Sequence, residues 1–188
     1  MTKPAPAPET AGRERANPVA VAVATGLGLG YAPLAPGTAG SLATALGYAL
    51  LHYGLESAGQ RAEYLIVYLL VLAGLALVGL WSTAAALPKW KSQDPQAIVI
   101  DEALGQWIAY AGVVAATLLG LPGLGNGGGW KSLVAGFILF RIFDVWKPFP
   151  IRRLERVGGP AGVLLDDALA GGYAAAVTLL LAWRGWLV

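Results

Sequence analysis

The sequence predicts an all-α protein, an integral membrane bundle of about five apolar helices, some of them short or re-entrant. Hydrophobic residues make up 56% of the chain and charged residues only 13%, whereas a soluble domain carries about 25% charged residues. One stretch, from Tyr64 to Leu87, has no charged residue, and about 20 apolar residues are enough to cross a bilayer. Lysine and arginine also cluster at alternate ends of the apolar stretches, as they do in cytoplasmic loops of membrane proteins.

The first 17 residues are rich in proline and alanine and lack the apolar core of a signal peptide. They predict a disordered cytoplasmic tail, with a linker as the alternative. We expect residues 18–188 to form one membrane-embedded domain. The chain has no cysteine, which excludes disulfides, thiolate metal sites and cysteine-nucleophile phosphatase chemistry. Its single histidine, His52, excludes mechanisms that need several histidines.

The five apolar stretches are separated by segments that break helices or carry charge. The first stretch pairs residues 18–29 with 37–55 across a Gly/Pro-rich break, which predicts a shaped loop at 30–37. The second, at 62–87, is the strongest predicted span. The others lie at 98–121, 132–145 and 163–188. The fourth is short for a span.

The placement of lysine and arginine predicts the orientation of the chain in the membrane. With a cytoplasmic tail and alternating crossings, nine of these residues lie on the cytoplasmic side and three on the far side. Arg141 is left inside the fourth stretch. The distribution predicts a cytoplasmic N-terminus and a C-terminus on the far side.

The same topology brings five carboxylates from three separate segments to the cytoplasmic side: Asp101, Glu102, Asp144, Asp166 and Asp167. Acidic residues near a bilayer are costly unless they have partners, so their clustering favours a functional site. The two adjacent pairs stand at predicted helix starts, where interaction with the helix dipole is the alternative explanation. Adjacent carboxylates repel each other unless a cation neutralises them, and the repeated pair therefore favours a metal site.

Arg141, Asp144 and Lys147 follow one another at intervals of three residues, which places them on one helix face. We expect Asp144 to be a further metal ligand and the two cations to bind phosphate. Arginine offers bidentate contacts to phosphate and lysine a point charge. The alternative is a salt bridge inside the membrane that only neutralises its partners.

The helix after the Gly/Pro loop opens with small residues and two hydroxyls, those of Thr38 and Ser41. Exposed N–H groups at a helix N-terminus suit a phosphate, and we expect both hydroxyls to contact it. An ordinary N-cap at Thr38 is the alternative. His52 is predicted to lie near the far side, in a structural or interfacial role.

Four blocks in this order resemble the phosphatidylglycerophosphatase A family. They are GLGYAPLAPGTAGSL (28–42), IVIDEALGQWI (98–108), FRIFDVWKPFPIR (140–152) and GVLLDDALAG (162–171). The resemblance implies an all-α fold and Mg²⁺-dependent hydrolysis of phosphatidylglycerophosphate to phosphatidylglycerol and phosphate, a reaction of phospholipid biosynthesis. With the predicted topology, we expect a bacterial inner membrane location with the active site facing the cytoplasm. The expected partners are the phospholipid substrate and the membrane, not nucleic acid, and the oligomeric state stays open.

The family's acidic positions match at the five carboxylates named above, and its basic positions match at Arg141 and Lys147. As a hypothesis, the carboxylates bind one or two Mg²⁺ and one of them, such as Glu102, accepts a proton from the attacking water. A transporter is one alternative, but it should place its acids near the middle of the bilayer. A phospholipid phosphotransferase is another, but it should carry its acids on consecutive turns of one helix.

Overall fold

The described secondary structure is helical throughout, which confirms the all-α prediction. The computed structural model describes residues 16–57, 61–90, 92, 95–121, 129–154 and 157–187, and the predicted tail lies outside them up to residue 15. The helices are α1 (Pro18–Ala24), α2 (Pro36–Ser57), α3 (Arg61–Ala86), α4 (Ile100–Ala109), α5 (Ala111–Leu118), α6 (Trp130–Trp146), α7 (Ile151–Leu154) and α8 (Gly159–Trp183). Short 3-10 turns lie at Leu29–Tyr31 and Leu87–Lys89.

The helices depart from the predicted stretches in two places. The third stretch forms two helices, because α4 ends and α5 begins at Tyr110. The last helix starts earlier than predicted, at Gly159, with a proline in its first turn where the missing N–H costs nothing. Asp166 therefore lies seven residues after the first residue of α8, and the prediction of a helix start at this acidic pair is wrong. Interaction with the helix dipole, which is confined to the first turn, does not explain these two acids.

Two helices of the described chain, Ala62–Lys89 and Gly159–Trp183, are long and apolar enough to cross a membrane, by length and composition only. Large apolar side chains on α3 are exposed, among them Leu70 at 67% and Leu77 at 70%. In water an apolar surface of this kind is unfavourable, whereas in lipid it costs nothing. Together these features suggest membrane association. The number of crossings and their orientation stay predictions.

The core of the fold is built around α4, most of whose side chains are buried. It packs against α8 most extensively and also contacts α2, α3 and α6. At Gly171 of α8, a Cβ atom would overlap the carbonyl oxygen of Gly105 in α4. Small residues at such a crossing let two helix backbones approach closely. This approach places the acids of α4 beside those of α8.

Candidate active site

One pocket of about 370 Å³ brings together the five predicted carboxylates and the two predicted phosphate-binding cations. Helix α4 supplies Asp101 and Glu102, the end of α6 supplies Arg141, Asp144 and Lys147, and α8 supplies Asp166 and Asp167. The start of α2 and the segment before α4 complete the wall with Ala35, Pro36, Gly37, Gln96 and Ile98. The convergence agrees with the expected topology, and the roles of the individual side chains stay predictions.

Three of the five carboxylates, those of Asp101, Glu102 and Asp167, form a tight cluster. Each offers one oxygen, and these three oxygens lie within 4.8 Å of one another. Asp101 is only 7% exposed and Asp167 only 5%. Within the described part of the chain, the buried oxygens Asp101 Oδ1 and Glu102 Oε2 have no hydrogen-bond partner. Buried carboxylates this close repel each other unless a cation or protons intervene. An all-oxygen donor set of this kind fits Mg²⁺.

The other two carboxylates are paired with the cations. Arg141 Nη1 lies 2.8 Å from Asp144 Oδ2, and Lys147 Nζ donates to Asp166 Oδ2 at 2.7 Å. The predicted alternative of a salt bridge between Arg141 and Asp144 is therefore present in the structure, at the wall of the pocket. The acids thus divide into a cluster suited to a metal ion and two partners that hold the cations beside it.

Backbone strain marks two positions that line the pocket. Lys147 ends α6 with φ of 46°, and Ala35, directly before α2, has φ of 48°. Side chains other than glycine rarely adopt this left-handed region, and such strain is frequent at functional sites. At Lys147 it accompanies the turn of the chain that leaves Nζ in contact with Asp166.

The two predicted hydroxyl ligands are not among the residues that line the pocket. Ser41 is fully buried; its hydroxyl donates to the carbonyl oxygen of Gly37 at 2.9 Å and accepts from Arg141 Nη1 at 3.3 Å. Its contacts make Ser41 a support for the guanidinium group. Thr38 follows Pro36 and Gly37 inside the first turn of α2, so the alternative of an N-cap at Thr38 is wrong.

Two pocket residues have features that no motif indicated. A Cβ atom at Gly37 would overlap the carboxylate of Glu102, so a larger residue at this position would displace that side chain. Gln96 brings an amide side chain to the pocket from the segment before α4. Its only sequence signal is its position a few residues before the Asp101-Glu102 pair.

Comparison with known proteins decides the family. The chain matches the family model of Phosphatidylglycerophosphatase A over residues 22–182. It belongs to this family. Its resemblance to the phosphatidylglycerophosphatase A family in four sequence blocks is thereby confirmed, and the chain is a phosphatase.

Curated relatives of the phosphatidylglycerophosphatase A family match most of the chain. Identity to the Phosphatidylglycerophosphatase A of Escherichia coli K12 is 33% over 149 residues, covering 79% of this chain and 74% of the relative. Identity to the protein of the same name from Haemophilus influenzae is 34% over 156 residues, or 82% of each chain. A Bacteroides thetaiotaomicron protein named "Putative phosphatidylinositol-3-phosphatase" is 34% identical over 160 residues, 85% of this chain and 89% of the relative. No solved structure gives a significant match.

Proposed function

We propose that this protein hydrolyses phosphatidylglycerophosphate to phosphatidylglycerol and inorganic phosphate, with Mg²⁺ held in the carboxylate pocket. The observation that carries the proposal is the cluster of three converging carboxylates, two of them on buried residues, beside two anchored cations, in a chain of the phosphatidylglycerophosphatase A family. The carboxylates suit a divalent cation, and the cations suit the phosphate.

We assign binding of the metal ion to Asp101, Glu102 and Asp167, because their oxygens already converge. When bound, Mg²⁺ supplies Lewis-acid polarisation of the phosphate oxygens. We propose that Glu102 Oε2 accepts a proton from the attacking water. This buried oxygen has no hydrogen-bond partner among the described residues. The water oxygen forms a bond to phosphorus, the ester P–O bond breaks, and the released glycerol oxygen takes up the proton that Glu102 accepted and leaves as a hydroxyl.

We assign binding of the substrate phosphate to Arg141 and Lys147. Each is held by an acid at salt-bridge distance, which fixes its position before the substrate arrives. Ser41 adds a second contact to the guanidinium of Arg141. Charges fixed in advance stabilise the negative charge that develops on the phosphate in the transition state without reorganising during the reaction.

We further propose that the protein lies in the bacterial cytoplasmic membrane with the pocket facing the cytoplasm. The excess of lysine and arginine on the pocket side of the predicted topology supports this orientation. The exposed apolar side chains of α3 support contact with lipid. In this arrangement the acyl chains of the substrate stay in the bilayer while the headgroup reaches the pocket.

The test is phosphate release from phosphatidylglycerophosphate in detergent micelles, with and without Mg²⁺, by the wild type and by Asp144→Asn. We expect Mg²⁺-dependent release by the wild type and a large loss in the variant, whose Arg141 loses its anchor. Unchanged turnover of Asp144→Asn would contradict the shared site.

Because one relative is named for phosphatidylinositol 3-phosphate, that lipid is assayed in parallel. If phosphate release from phosphatidylinositol 3-phosphate is faster than from phosphatidylglycerophosphate, phosphatidylinositol 3-phosphate becomes the substrate instead.

A further inference from the structure

Another cavity, lined by both cations and aromatic residues, adjoins the carboxylate pocket at the end of α6. This cavity of about 430 Å³, the basic cleft, is lined by Trp146, Lys147, Pro148, Phe149, Arg152 and Arg153. Three of these residues are cations, and none of the described residues that line it is an acid. The carboxylate pocket, in contrast, has more acids than cations. The basic cleft is therefore suited to an anion without a metal ion.

The basic cleft is built from arginines that contact exposed aromatic residues. Arg152 Nη2 donates to the carbonyl oxygen of Trp146 at 3.3 Å, and the guanidinium of Arg153 lies 4.7 Å from the centre of the Phe149 ring. Trp146 is 62% exposed and Phe149 70% exposed. Exposed aromatic rings beside cations are typical of the headgroup level of a membrane. The fully buried Ile151 fixes the short helix α7 that carries both arginines.

Shared residues connect the basic cleft to its neighbours. Lys147 lines both the carboxylate pocket and the basic cleft. Arg152 lines both the basic cleft and an apolar groove of about 650 Å³ along α6, which also includes Ile142 and Val145. Arg141 in turn lines the groove and the carboxylate pocket. Three cavities of different chemistry thus meet around the last turn of α6.

We propose that the basic cleft binds the phosphodiester that links the substrate's headgroup to its diacylglycerol, while the terminal phosphate monoester occupies the carboxylate pocket. This inference rests on the proposed function and names the part of the substrate that determines specificity. Phosphatidylglycerophosphate and phosphatidylinositol 3-phosphate both carry a monoester and a diester separated by a polyol. Phosphatidic acid carries only a monoester, attached directly to the diacylglycerol, and cannot fill both cavities. Arg152 and Arg153 are specificity residues in this scheme, and Lys147 lies between the two phosphates.

The test uses Arg152→Gln in micelles of a neutral detergent, where no other anionic lipid is present. Two inhibitors separate the cavities: phosphatidylglycerol carries only the diester, and inorganic phosphate occupies only the monoester site. We expect KM for phosphatidylglycerophosphate and the inhibition constant of phosphatidylglycerol each to rise about tenfold, the effect of one lost charge-assisted hydrogen bond. We expect kcat and the inhibition constant of inorganic phosphate to stay within about twofold.

The matched control is Arg184→Gln, which removes an exposed arginine that lies beside an exposed tryptophan at the end of α8. It should leave all four constants unchanged. Arg153→Gln is the second test variant and should raise the same two constants, but less. Circular dichroism establishes that the exposed substitutions leave the helices intact.

Three outcomes would overturn the inference. The first is an unchanged KM for both arginine variants. The second is an equal rise in the inhibition constants of phosphatidylglycerol and inorganic phosphate, which would place Arg152 in the monoester site. The third is an effect that occurs only in anionic vesicles, which would assign the arginines to general attraction by the membrane. If the wild type releases no phosphate, the proposed function fails, and calorimetric binding of phosphatidylglycerol to the same variants still tests the basic cleft.

Discussion

Helix α4 carries two buried polar clusters, one at each end, and they differ in how their polar atoms are satisfied. Its first turn contributes Asp101 and Glu102 to the carboxylate pocket. Its last turn contributes Trp107 to an aromatic cluster near the other end of the bundle. The members of this aromatic cluster are Tyr48, His52, Tyr64, Tyr68, Trp107 and Tyr110. Because a helix rises about 1.5 Å per residue, the two clusters lie roughly 10 Å apart along α4.

The tyrosine hydroxyls and the Trp107 indole N–H of the aromatic cluster have protein partners. Tyr68 donates its hydroxyl to the carbonyl oxygen of Trp107 at 3.1 Å, and the indole of Trp107 donates to the carbonyl oxygen of Tyr68 at 3.1 Å. The hydroxyls of Tyr48 and Tyr64 are hydrogen-bonded to each other. His52 Nδ1 lies 3.2 Å from the Tyr64 hydroxyl and outside the carboxylate pocket, which agrees with the structural role expected for it.

The carboxylate cluster lacks such partners, since two of its buried oxygens have none among the described residues. A buried polar group that is satisfied within the protein contributes to stability, and one that is not lowers it. From this comparison we expect the aromatic end of α4 to stabilise the fold, and we expect the proposed metal ion to relieve unfavourable electrostatic energy at the carboxylate end. Four predictions test this difference, from the largest expected effect to the smallest.

Asp167→Asn should reduce phosphate release by about 100- to 1000-fold, because it removes a charge from the proposed metal site. Without Mg²⁺ the variant should be at least as stable as the wild type, because one repelling charge is gone. The measurements are phosphate release and thermal unfolding in EDTA. Glu63→Gln, which neutralises an exposed acid in the first turn of α3, is the matched control and should change neither. A loss of activity accompanied by an equal loss of stability would make Asp167 a structural residue.

Saturating Mg²⁺ should stabilise the wild type by about 2.7 kcal/mol at 100 times the dissociation constant. For a domain of this size that raises the unfolding temperature by roughly 5 to 10 °C. Asp101→Asn should lose most of this shift, and a variant of the aromatic cluster such as Tyr68→Phe should keep it. Thermal unfolding in detergent with and without Mg²⁺ measures the difference. Equal shifts in both variants would place the ion elsewhere.

Gly37→Ala should lower activity about tenfold, because the added methyl group displaces the carboxylate of Glu102. Gly47→Ala provides the control on the same helix, since a Cβ atom there meets no atom within 4 Å. That control should keep full activity and gain about 0.5 to 1 kcal/mol of stability from better helix propensity. If both variants were equally active, the close approach of α2 would have no part in the chemistry.

Tyr68→Phe should cost about 1 kcal/mol of stability, the worth of one buried hydrogen bond, and leave kcat and KM unchanged. The measurement is denaturant or thermal unfolding beside the phosphate-release assay. A loss of activity without a loss of stability would show that the aromatic end of α4 takes part in the reaction.

Convergence of the carboxylates could be predicted from the sequence because it depends on local pairs and on charge placement along the chain. Asp101-Glu102 and Asp166-Asp167 are adjacent, and Arg141, Asp144 and Lys147 share a helix face. The start of α8 could not be predicted, since glycines and a proline precede its apolar residues and obscure its first turn.

The division of the acids into a cluster and two ion pairs also could not be predicted from the sequence, because it depends on contacts between residues that are distant in the chain. Ser41 shows this best. Its hydroxyl follows the predicted helix start, where phosphate binding is a reasonable expectation, yet it contacts Arg141, 100 positions away in the chain. The contact between Gly37 and Glu102 likewise exists only after α2 has packed on α4.

The most direct test of a metal-dependent site at the carboxylate end of α4 is a Mg²⁺ titration of phosphate release from phosphatidylglycerophosphate. The wild type, Asp101→Asn and Tyr68→Phe are compared in the same neutral micelles. We predict that the wild type and Tyr68→Phe reach half-maximal rate at the same Mg²⁺ concentration. Asp101→Asn should require at least about tenfold more, because even outer-shell partners of a metal change its affinity by that factor. A superimposable curve for Asp101→Asn, or full wild-type activity in EDTA, would contradict the metal site.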